Sequence, residues 1–162
     1  MYYKVSRKYN PEDESGFLSN NPDEKNLDNL LQPICKIAVQ AGSIINKHYK
    51  IKKDISFKED KSPLTKADLE SNKFIIQSLI ELDSNIPVLT EESLVDWSVR
   101  KHWSQYWLVD PLDGTKEFIN QNDEFTVNIA LIKNHNPVLG VIYAPALSTL
   151  YYAYKNKGSH KL

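Results

Sequence analysis

Three strand-forming runs near the C-terminal end, FTVNIALI (125–132), PVLGVIYA (137–144) and TLYYAYK (149–155), limit the fold more than any other feature of this sequence. Each is rich in β-branched and aromatic residues, and only short, turn-rich connections separate them. An antiparallel meander is the simplest arrangement of such runs. Upstream the periodicity changes. Leu27, Leu30, Leu31, Ile34, Ile37, Ala38, Ala41, Ile44 and Ile45 recur at three- and four-residue steps and form one helical stripe. Pro33 interrupts it, so either the regular helix begins near Pro33 or it is kinked there. Cys35 borders the stripe and reads as a buried, inert thiol.

A second helix is announced by SPLTKADLESNKFIIQSLIEL (62–82) after a basic, loop-like stretch. Thr65 is a good N-cap, and Asp68 stands three residues on in the manner of a capping box. Its apolar side reads as Leu69, Ile75 or Ile76, Leu79 and Leu82. NIPVLTEES (85–93) then reads as a short strand ending in Glu91 and Glu92. Two helices followed by sequential strands argue for an α+β fold, two N-terminal helices packed on an antiparallel sheet, rather than alternating βαβ units. Residues 1–26 are polar and without periodicity, and read as a poorly ordered extension; the domain proper is 27–162.

At 162 residues, 41% hydrophobic and 25% charged, the chain suits one domain with its own core. A net charge of -1 offers no general attraction to a nucleic-acid polymer or an anionic membrane, so a polyanionic ligand requires local cations or bound metal. The single cysteine cannot form an internal disulfide, which suits a reducing compartment. No apolar leader or run of transmembrane length is visible, and the cytoplasm is the expected location.

The chemistry concentrates in WLVDPLDGTKEF (107–118), which spends one of only five glycines. One reading is a turn, with Pro111 at a corner, Gly114 relieving a strained dihedral and the aspartates bonded to nearby amides. The other is a metal site at a strand-to-helix junction. Trp107 to Val109 end a buried strand, and Thr115 to Asn120 open a helix. Asp110 and Asp113 could then hold hard divalent cations, and the amides of Gly114 and Thr115 could receive an anion. Asp68 and the Glu91–Glu92 pair also stand at element ends, so the set supplies enough oxygen ligands for two hard cations if the fold gathers it. An EF-hand is excluded, because with Gly114 at the sixth loop position Val109 would occupy the first. There is no P-loop and no Gly-x-Ser-x-Gly elbow. The plainer roles are a helix cap for Asp68, a solvent-facing or supporting position for Glu92 and an exposed helix position for Lys116. Trp103, Tyr106 and Trp107 read as core or core-edge aromatics, and His48, His102, His135 and His160 lack metal-ligand spacing.

In their order, SPLTKAD, PVLTEES, WLVDPLDGTKEF and EFTVNIALI resemble the inositol monophosphatase superfamily of magnesium-dependent, lithium-sensitive phosphatases. The likeness runs from about Leu27 to about Lys157, and Thr115 to Phe118 favour the bacterial 3'(2'),5'-bisphosphate nucleotidase branch. It implies hydrolysis of a small phosphomonoester such as adenosine 3',5'-bisphosphate, giving AMP and phosphate, with Mg2+ as cofactor. It assigns Glu91, Asp110 and the carbonyl of Leu112 to a first magnesium, and Asp110 with Asp113 to a second. Asp68 and Thr115 would activate the attacking water, and the amides of Gly114 and Thr115 would hold phosphate oxygens. Members of the superfamily continue into a second α/β domain with a Trp-Asp-x-x-Ala-Ala-Gly block, whose aspartate completes the second metal site. No such block follows YYAYKNKGSHKL, so 27–162 corresponds to the family's N-terminal domain alone. Three outcomes are open on this reading: an active phosphatase, a noncatalytic remnant keeping part of the metal site, or a half-enzyme that self-associates or takes a complementing chain.

Overall fold

The computed structural model of the chain describes residues 22–51, 55–58 and 63–162. Helix α1 (Pro22–Tyr49) runs through Pro33 rather than starting there. It begins inside the stretch expected to be an unordered extension, at a proline whose fixed φ suits a first helical turn; residues 1–21 of that extension lie outside the described residues. Loss of one backbone bond at Pro33 is tolerated because the stripe is packed, with Ile34, Ala38, Ala41 and Ile45 fully buried. Each large side chain buried this way contributes about 1.5–3 kcal/mol. Cys35 is half-buried against this core, and burial pushes its thiol up to about 11, as an inert thiol requires.

Strands β1 (Ile55–Phe57) and β2 (Pro63–Thr65) form a small antiparallel pair where sequence suggested only a loop. β2 leads directly into α2 (Lys66–Leu82), whose N-cap is Thr65 with the capping box to Asp68. The buried side of α2 is Ala67, Asp68, Ser71, Asn72, Ile75 and Leu79, and Leu69 is half exposed, contrary to its expected place on the apolar side. The first two turns bury polar groups instead. Ser71 donates to the carbonyl of Pro111 at 2.9 Å, and Thr90 donates to Asn72 Oδ1 at 2.6 Å.

The main sheet has the order β3-β4-β5-β6-β7-β8, from β3 (Val88–Thr90), β4 (Gln105–Asp113), β5 (Thr126–Lys133), β6 (Asn136–Ala144), β7 (Thr149–Tyr154) and β8 (Gly158–Lys161). β5 to β7 form the expected meander, and antiparallel pairing lengthens it by β4 on one side and β8 on the other. β3 departs from it by pairing parallel to β4, so the sheet is mixed. A parallel neighbour requires a crossover, and the segment 91–104 with the short helix α3 (Trp97–Arg100) supplies one.

Both long helices lie on one face, α1 over β5, β6 and β7 and α2 over β3 and β4. Alternate strand residues point into that layer: Trp107 and Val109, then Val127, Ile129 and Leu131, then Leu139 and Val141 are buried. Trp103 and Tyr106 pair at the core edge, ring centres 5.9 Å apart. α1 crosses β6 so closely that a Cβ on Gly42 would stand 2.5 Å from the Tyr143 ring. On the other face Leu108 and Ile142 are exposed, and with Leu94 and Val95 they line a groove of about 1040 Å³ that reaches Glu91 and Asp110.

Candidate metal and phosphate site

The parallel pairing sets Thr90 opposite Val109, and the Glu91 N–H donates to the Val109 carbonyl at 3.2 Å. Glu91 therefore leaves β3 beside Asp110. Asp110 and Asp113 are three residues apart, which in a regular strand puts their side chains on opposite faces. A bulge removes that conflict: Asp110 pairs with Asn128 and Asp113 with Thr126, so β4 takes three steps where β5 takes two. Asn128 Nδ2 then donates to Asp113 Oδ2 at 3.0 Å, from the position directly across from Asp110. The bulge thus turns both aspartates toward one side.

Gly114 follows with φ +86, and a Cβ there would meet the Glu124 carbonyl oxygen at 2.7 Å, so glycine is required on two counts. It caps α4 (Thr115–Asn120), which is anchored by fully buried Phe118 against Tyr49 and Phe125. That anchoring holds Thr115 over the start of α2. Thr115 Oγ1 lies 3.0 Å from Asp68 Oδ1 and 3.1 Å from the Leu112 carbonyl oxygen, with one proton to give to either. Asp68 is 1% exposed and also accepts from the Thr65 N–H and hydroxyl through Oδ2. It caps its helix and grips Thr115 at once, so its two sequence readings do not compete.

Burial, followed by the negative charges of Glu91 and Asp113, pushes the Asp110 carboxyl up to about 7, against the opposing bond from the Leu112 N–H. A carboxyl raised by burial and by acidic neighbours marks a candidate functional site. These carboxylates and the Leu112 carbonyl are oxygen donors of the kind that Mg2+ prefers. Among the described residues the set has not converged into a ready cluster of three acidic or histidine ligands. Protein donors engage its members instead: Asn128 holds Asp113, and Lys58 Nζ donates to Glu91 Oε1 at 2.7 Å and Glu92 Oε1 at 2.9 Å. The Glu92 side chain is 6% exposed, so it does not face solvent as one sequence reading had it; it supports its neighbour through Lys58. Lys116 is exposed. Sequence reasoning missed Lys58, Ser71, Asn72 and Asn128. Asn128 carried a signal, a lone amide in the apolar run FTVNIALI, and Lys58 carried none.

Residues 26–161 match the family model for the inositol monophosphatase family. The chain belongs to that family. Among inositol monophosphatase family proteins, it is 51% identical over 130 residues to the 3'(2'),5'-bisphosphate nucleotidase CysQ of Salmonella typhimurium, covering 79% of this chain and 53% of the relative. CysQ of Haemophilus influenzae is 44% identical over 135 residues, covering 83% of this chain and 50% of that protein. The chain thus spans about half the length of the curated relatives it matches. The crystal structure of CysQ from Bacteroides thetaiotaomicron superposes with a TM-score of 0.70 at 45% identity, covering 81% of this chain and 48% of that one. An IMPase/NADP phosphatase crystallised with Mg2+ and phosphate shares the fold, with a TM-score of 0.71 at 21% identity over 85% of this chain and 51% of that one. Among the described residues no helix is long and apolar enough to cross a membrane.

Proposed function

We propose that this chain carries the water-activating and metal-binding half of a phosphomonoesterase of the 3'(2'),5'-bisphosphate nucleotidase type, with adenosine 3',5'-bisphosphate as substrate and AMP and phosphate as products. The observation that carries the reading is the junction of two networks: the Asp68–Thr115–Leu112 contacts stand directly beside the carboxylates of Glu91, Asp110 and Asp113. Glu91, Asp110 and the Leu112 carbonyl would hold one Mg2+, and Asp110 with Asp113 a second. Bound there, the two cations would supply the positive charge that acidifies a water and neutralises the phosphate oxygens. Thr115 Oγ1 would accept the proton of the attacking water while its own proton passes to Asp68 Oδ1. The amides of Gly114 and Thr115, at the start of α4, would hold phosphate oxygens. The lone Cys35 suits the cytoplasm as the place of work.

The test is phosphate release from adenosine 3',5'-bisphosphate by mass-verified chain, with and without Mg2+, beside an Asp113→Asn variant. Turnover that requires magnesium and falls at least about 100-fold in the variant supports the reading. One observation favours a second reading, in which the chain binds cations and turns over only with a second copy or a complementing chain. The apolar groove on the open face of the sheet ends at Glu91 and Asp110, where a covering surface could add a further ligand. Turnover that appears only on self-association or with a complementing chain selects this second reading, whereas cation binding that stays without turnover in either case marks a noncatalytic remnant.

A further inference from the structure

Lys58 occupies the place that a cation at Glu91 would need. It follows β1 directly, and its ammonium bridges Glu91 and Glu92 at 2.7 and 2.9 Å. The two ends of the bridge differ. The Glu92 side chain is 6% exposed and that of Glu91 51%, with Lys58 at 22% between them. Glu92 is therefore the enclosed end and Glu91 the end open to solvent. An exposed ion pair contributes little, but this lysine is shared by two carboxylates and one of them is enclosed. Although burial works against its charge, the bonds to Glu91 and Glu92 hold the ammonium charged well above the ordinary lysine range. Magnesium takes carboxylate oxygens at about 2.0–2.1 Å in near-octahedral geometry. An ammonium at hydrogen-bond distance from the same oxygen obstructs that approach by size and by charge. The four-carbon stem of lysine lets the ammonium leave Glu91 while it stays on Glu92.

We propose that Lys58 is a tethered counter-cation, which holds Glu91 until a divalent cation takes that carboxylate and then remains on Glu92, so that it sets the affinity of the metal site. This rests on the metal-site reading above. Exchange of this kind keeps Glu91 partly compensated before the cation arrives and makes binding a competition between two positive charges. Neither metal ligation nor contact with the reacting atoms is asked of Lys58; it is a positioning residue.

The experiment is calorimetric titration of Mg2+ into the full chain and into Lys58→Met and Lys66→Met variants. Lys66 is the control for a general change of charge, since it is 71% exposed and paired with Glu70 at 3.5 Å. Lys58→Met is expected to bind Mg2+ about 10-fold more tightly, and Lys66→Met within about twofold of the unaltered chain. Equal or weaker binding by a folded Lys58→Met chain overturns the proposal and leaves Lys58 a structural tie. Should that variant not fold, the side-chain resonance of Lys58 in the unaltered chain decides. It must shift along the same Mg2+ isotherm that calorimetry follows, and a Lys58 signal indifferent to bound magnesium overturns the idea. Absence of Mg2+ binding in every folded chain removes the metal-site reading and this proposal together, whereas equal binding by all three removes only the proposal.

Discussion

Replacing Asp68 separates its structural work from its chemical work. The carboxylate is 1% exposed and accepts three hydrogen bonds, from the Thr65 N–H and hydroxyl and from the Thr115 hydroxyl. Asp68→Ala removes all three bonds and leaves the Thr65 N–H, a helix-start donor, buried and unpaired. Bonds to a charged group are worth about 1.5–3 kcal/mol each, but the cost of burying the charge also disappears, so their sum overstates the loss. The stranded donor at about 1–3 kcal/mol and the lost cap at about 1 kcal/mol set a net destabilisation of about 2–4 kcal/mol. Asp68→Asn keeps the shape. Its amide oxygen can still accept from Thr65, and its amide nitrogen can donate to Thr115, whose proton then turns to the Leu112 carbonyl at 3.1 Å. We expect Asp68→Asn to lose at most about 1 kcal/mol of stability. Urea unfolding followed by circular dichroism, with equal slopes required, measures both variants. Two results would refute the reasoning: Asp68→Ala within about 0.5 kcal/mol of the unaltered chain, or Asp68→Asn as costly as Asp68→Ala. Where turnover is measurable, Asp68→Asn should abolish it while leaving Mg2+ affinity unchanged, because its amide can no longer take the proton from Thr115. Full activity in that variant sinks the proton route.

The remaining predictions concern the acidic turn. Gly114→Ala should destabilise by about 2–4 kcal/mol, from the left-handed φ of +86 and the 2.7 Å contact with the Glu124 carbonyl, read as a lower urea midpoint. A midpoint unchanged by that substitution means that the turn at Gly114 is not built as described. The raised Asp110 carboxyl makes folding pH-dependent. Between about 4, where a free aspartate titrates, and about 7, the folded chain holds a proton that the unfolded chain has lost, so Asp110 makes stability fall as pH rises through that window. Mg2+ needs the ionised form, so its affinity should rise over the same range and level off above it; calorimetry at pH 5.5 and 7.5, roughly either side of the Asp110 midpoint, checks the sign, and stronger binding at the lower pH contradicts it.

Local patterns carried much of the fold. The α1 stripe from Leu27 to Ile45, the Thr65–Asp68 capping box, the strand ending at Thr90 and the helix at Thr115 to Asn120 all depend on neighbours within a few residues. Such neighbours are visible as period, cap and turn. The pattern failed where the molecule departs from ordinary burial. Leu69 looked apolar enough to lead the inner face of α2, yet Asp68, Ser71 and Asn72 take that face because they brace β4, β3 and Thr115. The sequence likewise ended the buried strand at Val109, whereas β4 runs on to Asp113, and only the ladder with β5 reveals the bulge between Asp110 and Asp113.

By itself the sequence determined which residues have the chemistry to bind a hard cation and a phosphate. It supplied oxygen donors at element ends, a glycine where the chain turns sharply, and a threonine opening a helix. Tertiary structure decided which of them meet. The Lys58–Glu91 bridge, the Asp68–Thr115 contact and the Asn128–Asp113 bond join residues 33, 47 and 15 positions apart. Parallel pairing of β3 with β4 and the bulge in β4 belong to the same class, since both are properties of a ladder between strands. The physical reason is range: period and capping act over one or two turns of chain, whereas the field around a carboxylate sums over every charge that the fold brings near it.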